Sequence, residues 1–198
     1  MTQYPLIGLI GKKRSGKDTF ASTLIEELNY TKIAYADPLR EAALALNPIV
    51  NTEPGYFGPV RYAAALEEFG YEGAKDKFPE FRAILQRLGT ESIRALDDGF
   101  WLRIATARIS ATTGPVVVTD VRFPNEADRI HELGGRLVRI IRLSTEEADE
   151  HPSEKALDGY AADYDVQNDR SLDDLANVAR AIAKRAQLDA NLANAATD

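Results

Sequence analysis

A stretch near the start of the chain has the residue types and spacing of a phosphate-binding loop. Residues 8–23 read GLIGKKRSGKDTFAST, in which four residues separate Gly11 from the pair Gly16-Lys17. The backbone N–H groups of such a loop, together with the positive end of the helix that follows it, can enclose phosphate oxygens. The lysine can then reach the β- and γ-phosphates. Because basic residues are unfavourable at a helix N-terminus unless an anion offsets them, the stretch favours a nucleotide site over a plain glycine turn.

The pair Asp18-Thr19 departs from the usual form of this loop. Ser or Thr normally follows the lysine and gives a hydroxyl to Mg²⁺, whereas here Asp18 follows it and Thr19 comes one place later. Either Thr19 takes over that task, or Asp18 supplies an oxygen directly or through water, and Mg²⁺ accepts both kinds of ligand. The sequence leaves the two alternatives open.

A second set of candidate residues follows a later apolar strand. Val116–Val118 is predicted to be a buried strand with Asp120 at its C-terminal end, and Asn125–Leu133 a helix stopped by two glycines. Ligands of open α/β sheets bind beyond the C-terminal ends of the strands, so we expect Asp120–Arg122 and Gly11–Lys17 to lie at one edge. Alternatively, Asp120 caps the following helix.

Composition narrows the classes of function. The chain has 198 residues, 44% of them hydrophobic and 28% charged, with a net charge of -7 and no cysteine. The negative charge argues against coating of DNA or RNA, and the lack of cysteine excludes disulfides and thiolate metal sites. No apolar run approaches the ~20 residues that span a bilayer. We expect a cytoplasmic protein that binds neither a nucleic-acid polymer nor a membrane.

The elements that must position these residues alternate between strands and helices. Predicted strands are Tyr4–Ile10, Lys32–Tyr35, Val116–Val118, Arg136–Leu143 and Asp165–Gln167. Predicted helices begin at Gly16, at Asp37-Pro38, at Pro79, at Phe100 and after Ser171, whose partner in a capping box is Asp174. Residues 47–58 are predicted to be a loop and residues 188–198 a frayed tail. The alternation predicts an α/β fold with a parallel sheet covered by helices on both faces.

Five motifs then occur in a characteristic order: KRSGKDT at 13–19, LQRLGTES at 85–92, TDVRFPNEAD at 119–128, HPSE at 151–154 and NDRSLDDL at 168–175. Together they resemble the deoxynucleoside monophosphate kinases of tailed bacteriophages, within the P-loop nucleoside monophosphate kinase family. The resemblance covers nearly the whole chain and weakens over residues 47–78. It implies a single three-layer P-loop NTPase domain over 1–198. It also implies a helical acceptor-nucleotide region over 38–112, a lid over 144–164 and a homodimer.

The resemblance also implies a reaction, the transfer of the ATP γ-phosphoryl group to a dNMP with Mg²⁺, and roles for matching residues. ATP would be bound by Gly11, Arg14, Ser15, Gly16, Lys17, Asp18, Thr19, Arg142 and Asn168, the last beside adenine. The dNMP would be bound by Lys13, Arg61, Arg82, Gly89, Thr90, Trp101, Asp120, Arg122 and Glu126. The residues expected to act in catalysis are Lys13, Lys17, Arg82, Asp120 and Arg122, with Asp18 or Thr19 serving the metal.

Several of these residues have simpler alternatives. Trp101 can be a core residue, Glu126 can offset the helix dipole, and Arg87 can lie on a solvated face. His151 is expected to shape its loop, because an ionised acceptor phosphate needs no general base. The lid carries no arginine, so Arg122 and Arg142 are expected to replace one. Two other functions stay open: a kinase of another phosphorylated acceptor, such as dephospho-coenzyme A or phosphomevalonate, and a nucleotide-binding regulator without catalysis.

Overall fold

The computed structural model describes residues 4–52, 58–142 and 156–196. In chain order its elements are β1 (Leu6–Ile10), α1 (Lys17–Leu28), β2 (Thr31–Ile33), α2 (Asp37–Leu46), β3 (Ile49–Asn51), β4 (Val60–Arg61), α3 (Tyr62–Lys77), α4 (Pro79–Gln86), a π-helix (Arg87–Arg94), α5 (Phe100–Ala111), β5 (Val116–Val118), α6 (Pro124–Glu132), β6 (Arg136–Ile141), β7 (Tyr164–Gln167) and α7 (Leu172–Ala195).

The strands that carry the candidate site form a parallel sheet of five strands in the order β2-β5-β1-β6-β7. β1 is central: Ile7 is in register with Val117 of β5 and with Arg136 of β6. Every residue of β1 and of β5 is buried. Continuous apolar strands of this kind require cover on both faces of a parallel sheet.

Helices supply that cover on both faces. Ile7 and Leu9 pack in one core with Phe20 of α1 and Ala179 of α7. Side chains alternate along a strand, so Gly8 faces the opposite side. A Cβ on Gly8 would lie 3.0 Å from the Ile130 side chain of α6. The predicted three-layer α/β arrangement is confirmed.

The chain divides into two compact units, one comprising Met1–Ala34 with Thr106–Asp198 and the other Tyr35–Ala105. The sheet belongs to the first unit. The second unit is mainly helical, and the acceptor-nucleotide region over 38–112 stays a prediction. Its core includes Tyr62 stacked on Phe81 at 4.1 Å between ring centroids. Burial raises the pKa of Tyr62 to about 12.

One local prediction in the second unit was wrong. Residues 47–58 are not all loop, because β3 pairs antiparallel with β4 and buries Val50. The adjacent β-branched Ile49 and Val50 favour a strand there. The helix predicted to begin at Pro79 is present and ends at Gln86, where the π-helix begins.

The end of the chain also differs from the prediction. α7 begins as predicted, with the Ser171 hydroxyl donating to Asp174, which lowers the pKa of that carboxyl. The helix then continues to Ala195. The prediction of a frayed tail from position 188 is therefore wrong for the residues up to Ala195. Asp189 accepts hydrogen bonds from Nε and Nη2 of Arg136 at 3.0 and 2.9 Å. Ala190 is only 4% exposed, because it continues the buried face of the helix.

No helix in residues 4–52, 58–142 or 156–196 combines the length and apolar character needed to cross a membrane.

The corrected tail can be tested with two variants that add the same charge. Ala190→Asp places a carboxylate on the buried face of α7 and should lower the free energy of unfolding by at least about 2 kcal/mol. Asn191→Asp, at the exposed neighbouring position, should change it by less than about 0.5 kcal/mol. Urea denaturation followed by circular dichroism measures both, and equal small effects would mean that the tail is frayed.

Candidate active site

The phosphate-binding loop connects β1 to α1, as predicted. Its backbone has positive φ at Gly11 (146°), Arg14 (63°) and Gly16 (104°). A Cβ on Gly11 would lie 2.5 Å from the carbonyl oxygen of Ile140, and one on Gly16 would lie 2.2 Å from Nδ2 of Asn168. Both glycines are therefore required by close contacts as well as by φ.

Lys17 folds back over this loop. Its Nζ donates to the carbonyl oxygens of Gly11 at 2.5 Å and Lys12 at 2.7 Å. Lys12, Lys13 and Arg14 are exposed beside it, and the first-turn N–H groups of α1 begin at the same point. This concentration of positive charge at a helix N-terminus is suited to a polyanion.

The donor set for a metal consists of oxygen ligands. Asp18 and Thr19 are both exposed in the first turn of α1. Elsewhere in the described part of the chain, no cluster of three or more His, Asp or Glu side chains could hold a metal. Mg²⁺ prefers oxygen ligands and commonly takes few of them from the protein, completing its shell with phosphates and water. The residues present therefore fit Mg²⁺, with Asp18 and Thr19 still alternatives.

The turn after β5 lies beside the end of β1. The N–H of Thr119 donates to Ile33 of β2 at 3.2 Å, and the N–H of Val121 donates to Leu9 of β1 at 3.3 Å. Asp120 is half-buried and Arg122 is exposed. Their predicted position at the same sheet edge as the phosphate-binding loop is confirmed.

Glu126 holds this turn in shape. The residue is 4% exposed, and its Oε2 accepts the backbone N–H groups of Arg122 at 2.8 Å and Phe123 at 3.2 Å. The geometry favours the helix-terminus alternative for Glu126. It does not support Asp120 as the cap, because α6 begins at Pro124 and Phe123 is its N-cap residue.

Asn168 contacts the phosphate-binding loop directly. Its Nδ2 donates to the carbonyl oxygen of Ser15 at 2.8 Å, and its backbone N–H donates to Ile141 at 2.7 Å. No local signal in the sequence indicates this contact, since 153 positions separate Asn168 from Ser15. Arg142, which follows β6, is exposed at the same sheet edge.

In the second unit, two predicted acceptor residues, Trp101 and Gly89, make packing contacts. Trp101 is 8% exposed, and its Nε1 donates to the carbonyl oxygen of Gly89 at 3.1 Å. A Cβ on Gly89 would lie 2.6 Å from the Leu39 side chain. These contacts favour the core alternative for Trp101.

The arginines of the second unit vary in their surroundings. Arg61 is exposed, and its Nη1 donates to the carbonyl oxygen of Asn47 at 3.0 Å. Arg82 and Thr90 are partly exposed, and Arg87 pairs with Glu80 at the surface, which agrees with a solvated face.

The predicted lid is described only in part, because residues 143–155, including His151, lie outside the described residues. At its described end, the Tyr160 hydroxyl donates to Asp128 of α6 at 2.5 Å. Nε2 of His131, near the end of α6, lies 2.9 Å from Oδ2 of Asp163.

Comparison with known proteins identifies relatives of this chain. A family model described as deoxynucleotide monophosphate kinase matches residues 71–178. A putative deoxynucleotide monophosphate kinase of Acanthamoeba polyphaga mimivirus is 34% identical over 176 residues, covering 81% of this chain and 86% of the relative. The deoxynucleoside-5'-monophosphate kinase of Escherichia phage T5 is 25% identical to this chain, and the match covers 82% of this chain and 89% of the phage protein.

The fold has counterparts among solved structures. TT1252 from Thermus thermophilus superposes on this chain with a TM-score of 0.50 at 18% identity, and the match covers 92% of this chain and 98% of TT1252. This similarity shows a shared fold alone. The family assignment comes from the sequence matches, which cover more than half of the chain. With its phosphate-binding loop between a central parallel strand and a helix, this chain belongs to the deoxynucleotide monophosphate kinase family.

Proposed function

We propose that this chain transfers the γ-phosphoryl group of ATP to a deoxynucleoside monophosphate, producing ADP and a deoxynucleoside diphosphate. The observation that carries the proposal is the phosphate-binding loop with Lys17 folded over it, beside the Asp120–Arg122 turn. Phosphoryl transfer between two polyanions needs positioned cations and dipoles rather than a covalent nucleophile. Family membership supports the deoxynucleotide as acceptor.

On the donor side, the loop and the start of α1 would bind the triphosphate of ATP. Lys17 now donates to two carbonyl oxygens, which it can exchange for phosphate oxygens without moving away from the loop. Arg14 and Arg142, both exposed, would neutralise further charge. Asp18 or Thr19 would hold Mg²⁺, which neutralises the charge that develops on the phosphates during transfer.

On the acceptor side, Lys13, Asp120 and Arg122 are the residues of the sheet unit that we assign to the dNMP. For Arg61, Arg82 and Thr90 of the second unit, the assignment rests on the family resemblance. The acceptor phosphate is already ionised, so the proposal includes no general base.

We also infer that the substrates are free nucleotides in the cytoplasm rather than a nucleic-acid polymer or a membrane surface. The net charge of -7 supports this inference, because a polymer-binding protein needs a basic face. A homodimer remains an expectation from the family resemblance.

An acceptor panel tests the reaction. With ATP and Mg²⁺, release of ADP should depend on one or more dNMPs and should exceed that with dephospho-coenzyme A or phosphomevalonate. Coupled spectrophotometry measures the release. Turnover with another acceptor alone, or ATP binding without any acceptor-dependent turnover, would contradict the proposal.

Removal of the loop lysine tests the donor site. Lys17→Ala should lower kcat by roughly 10²–10³-fold, because it removes a charge that stabilises the transferring phosphoryl group. Lys184→Ala removes an exposed lysine from α7 and serves as the control, with kcat unchanged. Wild-type turnover in Lys17→Ala would exclude this loop as the donor site.

The turn after β5 allows a test of the acceptor site. Arg122→Ala should raise the KM for dNMP roughly 10–100-fold with the KM for ATP unchanged, since it removes a charge-assisted hydrogen bond. Glu126→Ala keeps Arg122 but releases its backbone N–H, so the effect should be smaller, roughly twofold to tenfold.

Arg185→Ala, at an exposed position of α7, is the control for both variants. If Arg122→Ala keeps the wild-type kcat and dNMP KM, the role assigned to Arg122 is wrong.

A further inference from the structure

We propose that Asn168 is a positioning residue for the phosphate-binding loop, acting through the Ser15–Gly16 peptide. The sequence resemblance implies a place beside adenine for this residue. Its side-chain amide, however, donates to the carbonyl oxygen of Ser15 at 2.8 Å. Through this hydrogen bond the side chain acts on the loop that we assign to the phosphates of the nucleotide.

Asn168 is held firmly enough to act on the loop. Its backbone N–H donates to the carbonyl oxygen of Ile141 at the end of β6. Its amide is packed so closely that a Cβ on Gly16 would lie 2.2 Å from Nδ2. The side chain therefore joins the edge of the sheet to the loop at the point where α1 begins.

The hydrogen bond from Asn168 fixes the Ser15–Gly16 peptide, and backbone hydrogen bonds fix the peptides on either side of it. The N–H of Ser15 donates to Lys12 at 3.2 Å, and the carbonyl oxygen of Gly16 accepts the first helical hydrogen bond, from Phe20, at 3.0 Å. The peptide between these two groups carries the Ser15 carbonyl and the Gly16 N–H. Asn168 supplies a hydrogen bond to that carbonyl.

Peptide planarity connects this bond to anion binding. In a trans peptide the C=O and N–H bonds point in opposite directions, so a carbonyl held by Asn168 turns the Gly16 N–H away from Asn168. There it joins the N–H groups at the start of α1, which have no partner within the helix. If the peptide rotated, the Ser15 carbonyl oxygen would turn towards the anion and repel it.

Tripolyphosphate distinguishes positioning of the loop from contact with adenine, because it carries phosphates and no base. The inference rests on the proposed function only in placing a triphosphate at this loop, and binding of tripolyphosphate needs no acceptor. Isothermal titration calorimetry with ATP and with tripolyphosphate should be carried out on the full chain and on three variants.

Asn168→Ala should lower the affinities for ATP and for tripolyphosphate by a similar factor, about tenfold, because one hydrogen bond that orients the loop is lost. Asn168→Asp should lower both affinities further, since a carboxylate cannot donate to the Ser15 carbonyl oxygen and adds negative charge beside the anion. Both variants keep the backbone hydrogen bond to Ile141. Gln167→Ala, at the exposed preceding residue in β7, should leave both affinities unchanged.

Loss of ATP affinity with unchanged tripolyphosphate affinity in Asn168→Ala would overturn the inference in favour of a base contact. Unchanged affinity for both ligands would also overturn it.

A measurement on the wild-type chain avoids the folding of variants. In NMR spectra, the Asn168 side-chain NH₂ signal should be protected from exchange without ligand and should shift with tripolyphosphate as it does with ATP. A response to ATP alone would contradict the inference. A chain that binds tripolyphosphate through Asn168 but phosphorylates no dNMP would contradict the proposed function and leave this inference intact.

Discussion

The parallel pairing of β1 with both β5 and β6 brings three distant parts of the chain to one edge of the sheet. The phosphate-binding loop follows β1, the Asp120–Arg122 turn follows β5, and Arg142 follows β6. β7, paired with β6, brings Asn168 to the same edge. Because parallel strands all end on one side, the registers of these three strand pairs set the positions of the segments relative to one another.

The phosphate-binding loop has conformational requirements that its neighbours must meet. Arg14 lies at φ 63°, where a residue with a Cβ costs of order 1 kcal/mol or more. Lys17 and Asn168 donate hydrogen bonds to carbonyl oxygens of the loop, and these bonds offset part of the conformational cost. The N–H groups of the loop point away from these two side chains. A polyanion site requires loop N–H groups that point to the ligand and carbonyl oxygens that do not.

The sequence predicted those parts of the fold that depend on local chemistry. The β1–loop–α1 unit, the strand Val116–Val118 and the capping box of α7 each depend on neighbouring residues, and all three are present. One error concerns a contact between distant residues. The end of α7 is ordered by Arg136, 53 positions from Asp189, and this contact leaves no local signal around residue 188. The other error has a local cause, because the strand-forming Ile49 and Val50 of β3 lie in a stretch rich in Pro, Gly and Asn.

The candidate site shows the same division between local and distant chemistry. Lys17 and Arg122 have residue types suited to phosphate, and the structure leaves their charged groups at the sheet edge where the sequence placed them. Glu126 and Asn168 are also residue types that commonly contact nucleotides. Here, however, Glu126 is hydrogen-bonded to the backbone of the Asp120–Arg122 turn, and Asn168 to the backbone of the phosphate-binding loop. A motif can therefore combine residues that we assign to substrate binding with residues that fix the peptides around them. For Asn168, the hydrogen bond to Ser15 supports control of a single peptide in the phosphate-binding loop over the expected contact with adenine.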